Sequence, residues 1–463
     1  MASNLPRFIK LPNPSEGGHE DYYEVAMYRG EADGIVSLDG DLELNSFTKI
    51  EVEPALINRN YVHLRFTRTN RYLGRNEDGL LVARNTFPVE DTTLPSCTLF
   101  QPSSPDQAGL YDLTHVQTGY LVRQDGSGLR FSIRNPPSSP NKLHLVDWET
   151  TVKLPLDGYI AFKGDNGKYL QTFLKDGQRY LQFSSDDPNI ESAAFRVEPL
   201  SNGDYKVFLP DRSRWFANPN WVSIVGSTQR GEWFRPVKVG DSSIALFSTE
   251  AKLFCSRASG EGLTDCLSAN VATIPSTAKF EVQELVQERL IYHVDYDMDF
   301  GRISDEQPYL AGQSVVTNNS SEEAVMAVEI TYQDEKSYTF TRSSSVTAGV
   351  SSTLEGKIPF IAKGSITVSV DMTETFEWSS TTKITTSITA STSVAVPPRT
   401  AFMVSYVGTK GTCSVPFSYT QQDKSSYDGS ITRVRKDDGS YTGVNCYNFE
   451  FKIEADSTLK LTN

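Results

Sequence analysis

The chain has 463 residues, 38% hydrophobic and 11% aromatic, and a formal net charge of −14. That is enough apolar material for several packed cores, which excludes wholesale disorder. The acidic balance, with no Lys/Arg run, gives no electrostatic reason to bind nucleic acid. No 18-residue apolar run offers a membrane-spanning helix, and the opening "MASNLPRFIKLPNPSEGG" lacks the apolar centre of a signal peptide. The expectation is a cytoplasmic or nucleocytoplasmic chain. Five cysteines, Cys97, Cys255, Cys266, Cys413 and Cys446, are odd in number and lack metal spacing, which favours reduced thiols. Cys255–Cys266 or Cys413–Cys446 bridges stay open for an oxidising space.

From the N-terminus, a unit of about 45 residues repeats. One phrase sets a small or basic residue before an aromatic: "TNRYLGR" at Tyr72, "QTGYLVR" at Tyr120, "DNGKYLQT" at Tyr169 and "RSRWFAN" at Trp215. A second closes each unit: "IEVEP" (50–54), "TLFQP" (98–102), "HLVDW" (144–148), "FRVEP" (195–199), "WFRPV" (233–237) and "FEVQE" (280–284). Each unit offers about four short strands between Gly, Asn and Asp turns. Three such units close a β-trefoil, so six predict two, with the seam at "DWETTVKLP". A propeller blade of this length would carry its own repeated signature, and none is present.

"FTRTNRYLGR", "CTLFQP", "LHLVDW", "GYIAFKGDNGKYLQ" and "DCLSAN" fall in the order in which similar phrases occur in amaranthin-type lectins, plant agglutinins of two tandem trefoils. The resemblance covers residues 5–287. It implies trefoils at 1–150 and 151–287, recognition of galactose or N-acetylgalactosamine, and a soluble homodimer with sites near the subunit contact.

An aromatic recurring at one place in each unit reads as core, so Tyr72, Tyr120 and Tyr169 are expected inside. Sugar contacts belong in the loops that follow. In the first trefoil that loop supplies Asn76, Glu77 and Asp78; in the second, Asn218 and Trp221. No aromatic platform accompanies the first loop. The five histidines are scattered, and no nucleophile elbow, phosphate loop or zinc motif occurs. No catalytic residue, metal or cofactor is expected.

After residue 288 the repeat phrases stop and Ser/Thr-rich stretches take over. A linker is the ordinary meaning of such a tract, but here apolar residues keep one parity. In "SITVSVDMTETFEW" (365–378), Ile366, Val368, Val370, Met372, Phe376 and Trp378 are even-numbered and the odd positions are polar. That is a β-strand with one apolar face. Upstream, Val346, Val350 and Leu354 repeat the pattern. Between them "GKIPFIAKG" sets Ile358, Phe360 and Ile361 between Lys357 and Lys363. Folding about Phe360 pairs Leu354 with Ile366 and Val350 with Val370. The hairpin, about 343–378, has the length a tilted strand needs to cross hydrocarbon.

"SVAVPPRTAFMVSYV" (393–407) and this hairpin resemble the C-terminal region of aerolysin-type pore-forming proteins, over about 290–463. The resemblance implies an elongated β-sheet domain at 288–463 whose pre-stem hairpin lies on its own sheet until subunits assemble. The whole reads as all-β: two trefoils and an aerolysin-like domain, a lectin that oligomerises and inserts a barrel into membranes. The alternative is a non-lytic stress or storage lectin whose last domain only mediates assembly.

Overall fold

The computed structural model describes residues 5–14, 23–39, 46–125, 130–135, 142–200, 203–217, 220–227, 231–240, 242–342, 350–368 and 372–455. These residues form 37 strands, five short 3-10 helices and no α-helix. The fold is all-β.

Every closing phrase becomes a strand. Ile50–Pro54, Phe100–Pro102 and Val146–Asp147 belong to a ten-stranded sheet, and Arg196–Pro199, Phe234–Lys238 and Phe280–Glu284 to a twelve-stranded one. Alternation explains the phrase: in "FEVQE", Phe280 and Val282 are buried while Glu281 between them is exposed. Each sheet has its own core. The first gathers Ile9, Ile50, Leu64, Phe66, Phe100 and Phe131. The second centres on Trp215, whose indole meets Phe195 and Phe234 edge-on at 5.1 and 5.6 Å, an arrangement the ring quadrupoles favour. Tyr72 is fully buried and its hydroxyl donates to Glu53 at 2.7 Å; Tyr120 and Tyr169 are half-buried against the packed interior.

Contacts divide the chain into two units. One comprises residues 1–290, 343–351 and 420–438; the other comprises 291–342, 352–419 and 439–463. The first is held across its chain segments by a buried ionic triad. The Arg289 guanidinium donates to both Asp423 carboxylate oxygens at 2.7 Å and to Glu284 at 2.5 Å, and Gln421 donates a further bond to Asp423. Three charges out of water are tolerable only because each is bonded to another.

The second unit is built on long strands: Arg302–Asn318, Ala324–Thr341, Thr381–Val396 and the greater part of Thr400–Ser425 and Ile431–Ala455. The Ser/Thr-rich stretch Thr381–Val396 is therefore sheet. Thr381–Val396 pairs with Ala324–Thr341 in unbroken register from Ala324↔Val396 to Thr339↔Thr381. Its exposed face is laced by hydroxyl bonds at 2.8 Å between Thr331 and Thr389 and between Thr339 and Thr381. All five cysteines are free and buried, Cys413 and Cys446 included.

Replacing Arg289 by Leu strands Glu284 and Asp423 without their cation. We expect a loss of about 3–5 kcal/mol in the unfolding free energy, read by chemical denaturation.

Candidate functional site

Among the described residues, two places are candidates for acting on something outside the chain. The first is an open polar cleft of about 1010 Å³, lined by Arg75, Asn76, Glu77, Asp78, Arg84 and Gln117 among others. The predicted loop residues Asn76, Glu77 and Asp78 are thus brought together on one wall. Their duties differ. Asn76 shapes the loop: its Oδ1 accepts the Leu80 amide at 2.8 Å, and its carbonyl accepts the Gly79 amide at 3.0 Å. Glu77 and Asp78 are exposed, and Arg134 braces the Asp78 carbonyl from outside. Arg75 and Arg84, which sequence reasoning did not single out, are set by donating Nε to the Ile133 and Asp33 carbonyls at 3.0 and 2.7 Å. Tyr72 also reaches the cleft wall although it is buried. Trp221 does not line this cleft; its indole N–H donates to Glu261 at 3.0 Å. Asn218 lies outside the described residues.

The second place is the 352–376 hairpin, and here the expected register fails. Leu354 faces Glu374 instead of Ile366, Ile366 pairs with Ile361, and Val368 pairs with Pro359. The apex is Lys363–Gly364, with φ of 51° and 75°, and not Phe360. Positive φ at both central residues defines the two-residue turn whose twist matches the flanking strands. The register also differs by one residue between the Ser352–Gly356/Met372–Phe376 pairing and the Pro359–Ala362/Ser365–Val368 pairing. Phe360 therefore pairs with Thr367, on the face opposite Ile361 and Ile366. An apolar face of even-numbered residues alone is corrected accordingly: near the apex, the ascending strand contributes odd-numbered Pro359 and Ile361. Val350 precedes the first described strand of the hairpin, Met372 opens Met372–Phe376, and Val346 and Val370 lie outside the described residues.

The apolar face is covered by the unit's own sheet. Leu354, Ile361 and Phe376 are 2%, 1% and 6% exposed in a cluster with Ile291, Phe340, Phe417 and Tyr447, and Ile358 and Ile366 pack partly against it. Two glycines make room for the isoleucine pair. A Cβ at Gly411 would lie 3.2 Å from Ile361 Cδ1, and one at Gly301 would lie 3.0 Å from Ile366 Cδ1. The buried Asn445 then clamps the tip: its Oδ1 accepts the Ile361 amide at 2.9 Å and its Nδ2 donates to the Ile361 carbonyl at 2.9 Å. No feature of the hairpin's own sequence announces these three partners. Val368, 39% exposed, and the half-buried Phe360 are less completely covered.

Among the described residues no group of acidic, His or Cys side chains could hold a metal, and no helix is long and apolar enough to cross a membrane.

Asn445→Ala leaves a buried N–H and C=O of Ile361 without their partner. Stability should fall by about 1–3 kcal/mol in chemical denaturation. Tryptic cleavage after Lys363, followed by mass spectrometry, should accelerate.

Residues 270–441 match the family described as Clostridium epsilon toxin ETX/Bacillus mosquitocidal toxin MTX2. No curated protein matches the chain. Similarity to solved structures is slight. A lamprey immune protein shares 12% identity at a TM-score of 0.34, over 65% of this chain and 100% of that one. An aerolysin-like protein of Bombina maxima shares 10% at 0.26, over 36% and 99%. The parasporin-2 toxin of Bacillus thuringiensis, described as recognising cancer cells, shares 18% at 0.24, over 36% and 74%. The ETX/MTX2 proteins are aerolysin-like pore-forming toxins and not enzymes, and it is the stretch carrying the tucked hairpin that resembles them.

Proposed function

We propose that the chain is a glycan-directed pore-former. Its first 287 residues act as two trefoil lectin domains that take a galactose- or N-acetylgalactosamine-bearing glycan. Its remaining strands assemble with other copies and deliver the 352–376 hairpin into the bilayer. The observation that carries this reading is the hairpin itself: Leu354, Ile361, Ile366 and Phe376 are stored in the apolar cluster of the sheet, and Thr353, Thr367 and Thr375 alternate with them along the strands. The ETX/MTX2 match over 270–441 supports it. In hydrocarbon every backbone N–H and C=O must be bonded, and only a closed barrel of strands achieves that. One hairpin per copy therefore requires a ring of copies.

Support for the lectin half is the assignment of three closing phrases to each sheet, each sheet with its own core, and the polar cleft beside the 75–79 loop. Hydroxyl-rich ligands suit a wall of carboxylates, amides and guanidinium groups, which both accept and donate. Asn76 contributes through the loop it shapes, and Glu77, Asp78, Arg75 and Arg84 through their side chains. A soluble dimer, as the lectin resemblance implies, precedes the ring.

The test compares two neighbours on one strand. In the barrel Val368 shares the apolar face with Ile366, so Val368→Arg sets a guanidinium in lipid at about 2–4 kcal/mol per copy. Thr367→Arg faces the water-filled lumen and costs little. Dye leakage from vesicles should be abolished in the first and retained in the second, with cation preference weakened. Both should keep the wild-type glycan-array profile. Equal leakage from both would remove the hairpin from the bilayer. A wild type that binds galactosyl glycans yet leaks nothing would leave a non-lytic lectin.

A further inference from the structure

Beside the cleft stand the two most exposed large apolar side chains among the described residues, Leu56 at 95% and Phe87 at 74%, with Ile57 and Leu94 also exposed. They lie on two loops, 55–61 and 86–96, that are fastened to each other. The Glu90 carboxylate accepts the Leu56 and Ile57 amides at 2.7 and 2.9 Å and meets His63 Nε2 at 3.3 Å. Burial opposes its charge, but those two amides and His63 hold its carboxyl below the usual carboxylate range. Each loop is also closed on itself: Ala55 N–H donates to Tyr61 O, Thr98 N–H to Val89 O and Cys97 N–H to Leu94 O. The two loops are cross-linked, with the Leu56 and Ile57 amides bonded inward and the apolar side chains left outside. Folding gives no reason for such an arrangement, and clustered exposed apolar groups mark contact sites.

The same loop that carries Phe87 and Leu94 supplies Thr92, Pro95 and Ser96 to the cleft wall. Gln117, another wall residue, donates to the Leu94 carbonyl at 2.7 Å. Apices and cleft are therefore one surface. Four apolar side chains on two loop tips are few for the apolar centre of a stable protein interface, which engages roughly 20–30 residues per side in all. A lipid interface needs no such complementary partner, because apolar side chains enter the boundary of headgroups and acyl chains individually. With a net charge of −14 the chain gains nothing from an anionic surface. We infer that Leu56, Ile57, Phe87 and Leu94 enter the interface of a neutral lipid bilayer beside the cleft. The sugar in that cleft is then one carried on a membrane lipid, a consequence that rests on the glycan reading proposed above.

The experiment uses the full chain and its Leu56→Ser/Phe87→Ser variant, floated with phosphatidylcholine vesicles with or without galactosylceramide. Both proteins are also titrated with soluble galactosyl oligosaccharide and run in sedimentation velocity. The variant should bind galactosylceramide vesicles at least about tenfold more weakly than wild type, with unchanged affinity for the soluble sugar and unchanged association state. Equal vesicle binding by the two proteins overturns the inference, as does a wild type that binds no vesicle. So does a variant that loses self-association, since the apices would then cover a second copy. Should wild type bind plain phosphatidylcholine through these apices yet no galactosyl sugar in any form, the lipid contact stands and the sugar reading of the cleft falls.

Discussion

An amphipathic strand in water must have its apolar face covered, and the second unit is organised around that need. Ile361 and Ile366 face each other across the hairpin and sit over Gly411 and Gly301, where any side chain would crowd them. Leu354 and Phe376 fill the adjoining cluster. Burial of such side chains is worth on the order of 1.5–3 kcal/mol each. A bilayer offers the same apolar surroundings, so leaving the sheet does not forfeit that term. What the bilayer does not offer is a partner for the backbone, which is why departure is possible only into a closed barrel. Asn445 adds to the hold of the sheet: it satisfies both the N–H and the C=O of Ile361.

The first unit meets a different constraint. Its two sheets each bury an aromatic-rich core, and its long-range tie is ionic: Arg289, Glu284 and Asp423 are all within 10% of full burial and mutually bonded. Such a triad contributes little net stability, yet it penalises any packing that separates its members. The cleft and the apolar loop apices share the 86–96 segment, so one cross-linked frame presents a polar recess and a greasy rim together. Recognition and lipid contact would then be a single event, placing a tucked hairpin's carrier on the surface it has to enter.

The strands of the repeat were legible because their closing phrases alternate, as "FEVQE" does, and alternation survives folding unchanged. Parity likewise pointed to the hairpin's return strand, described at Ser365–Val368 and Met372–Phe376. Its register was not legible, for two physical reasons. Lys363–Gly364 adopts the tight left-handed turn although Lys is a rare occupant of that position, and the Pro-Phe pair upstream looks more like an apex than a strand. The Pro359–Ala362/Ser365–Val368 pairing is also offset by one residue from the Ser352–Gly356/Met372–Phe376 pairing, which moves Phe360 off the face it was expected to share. Asn445 lies 84 residues from Ile361 and Asp423 lies 134 from Arg289, distances at which no local pattern can announce a partner. In the cleft, Asn76 reads as a ligand group from sequence, and the structure adds a loop-building role in which its Oδ1 accepts the Leu80 amide.

The central claim is that one face of this hairpin exchanges protein for lipid. The native thiols are all buried, and burial pushes those of Cys266 and Cys413 up to about 11, so an introduced surface cysteine can be labelled selectively. Single cysteines at each position from 365 to 368 and 372 to 376, carrying an environment-sensitive dye, report polarity before and after vesicle binding. The account predicts an alternation of period two on membranes, with 366, 368, 372 and 376 giving an apolar signal and 365, 367, 373 and 375 a wet one. A uniform response along the strand, or none, would contradict it.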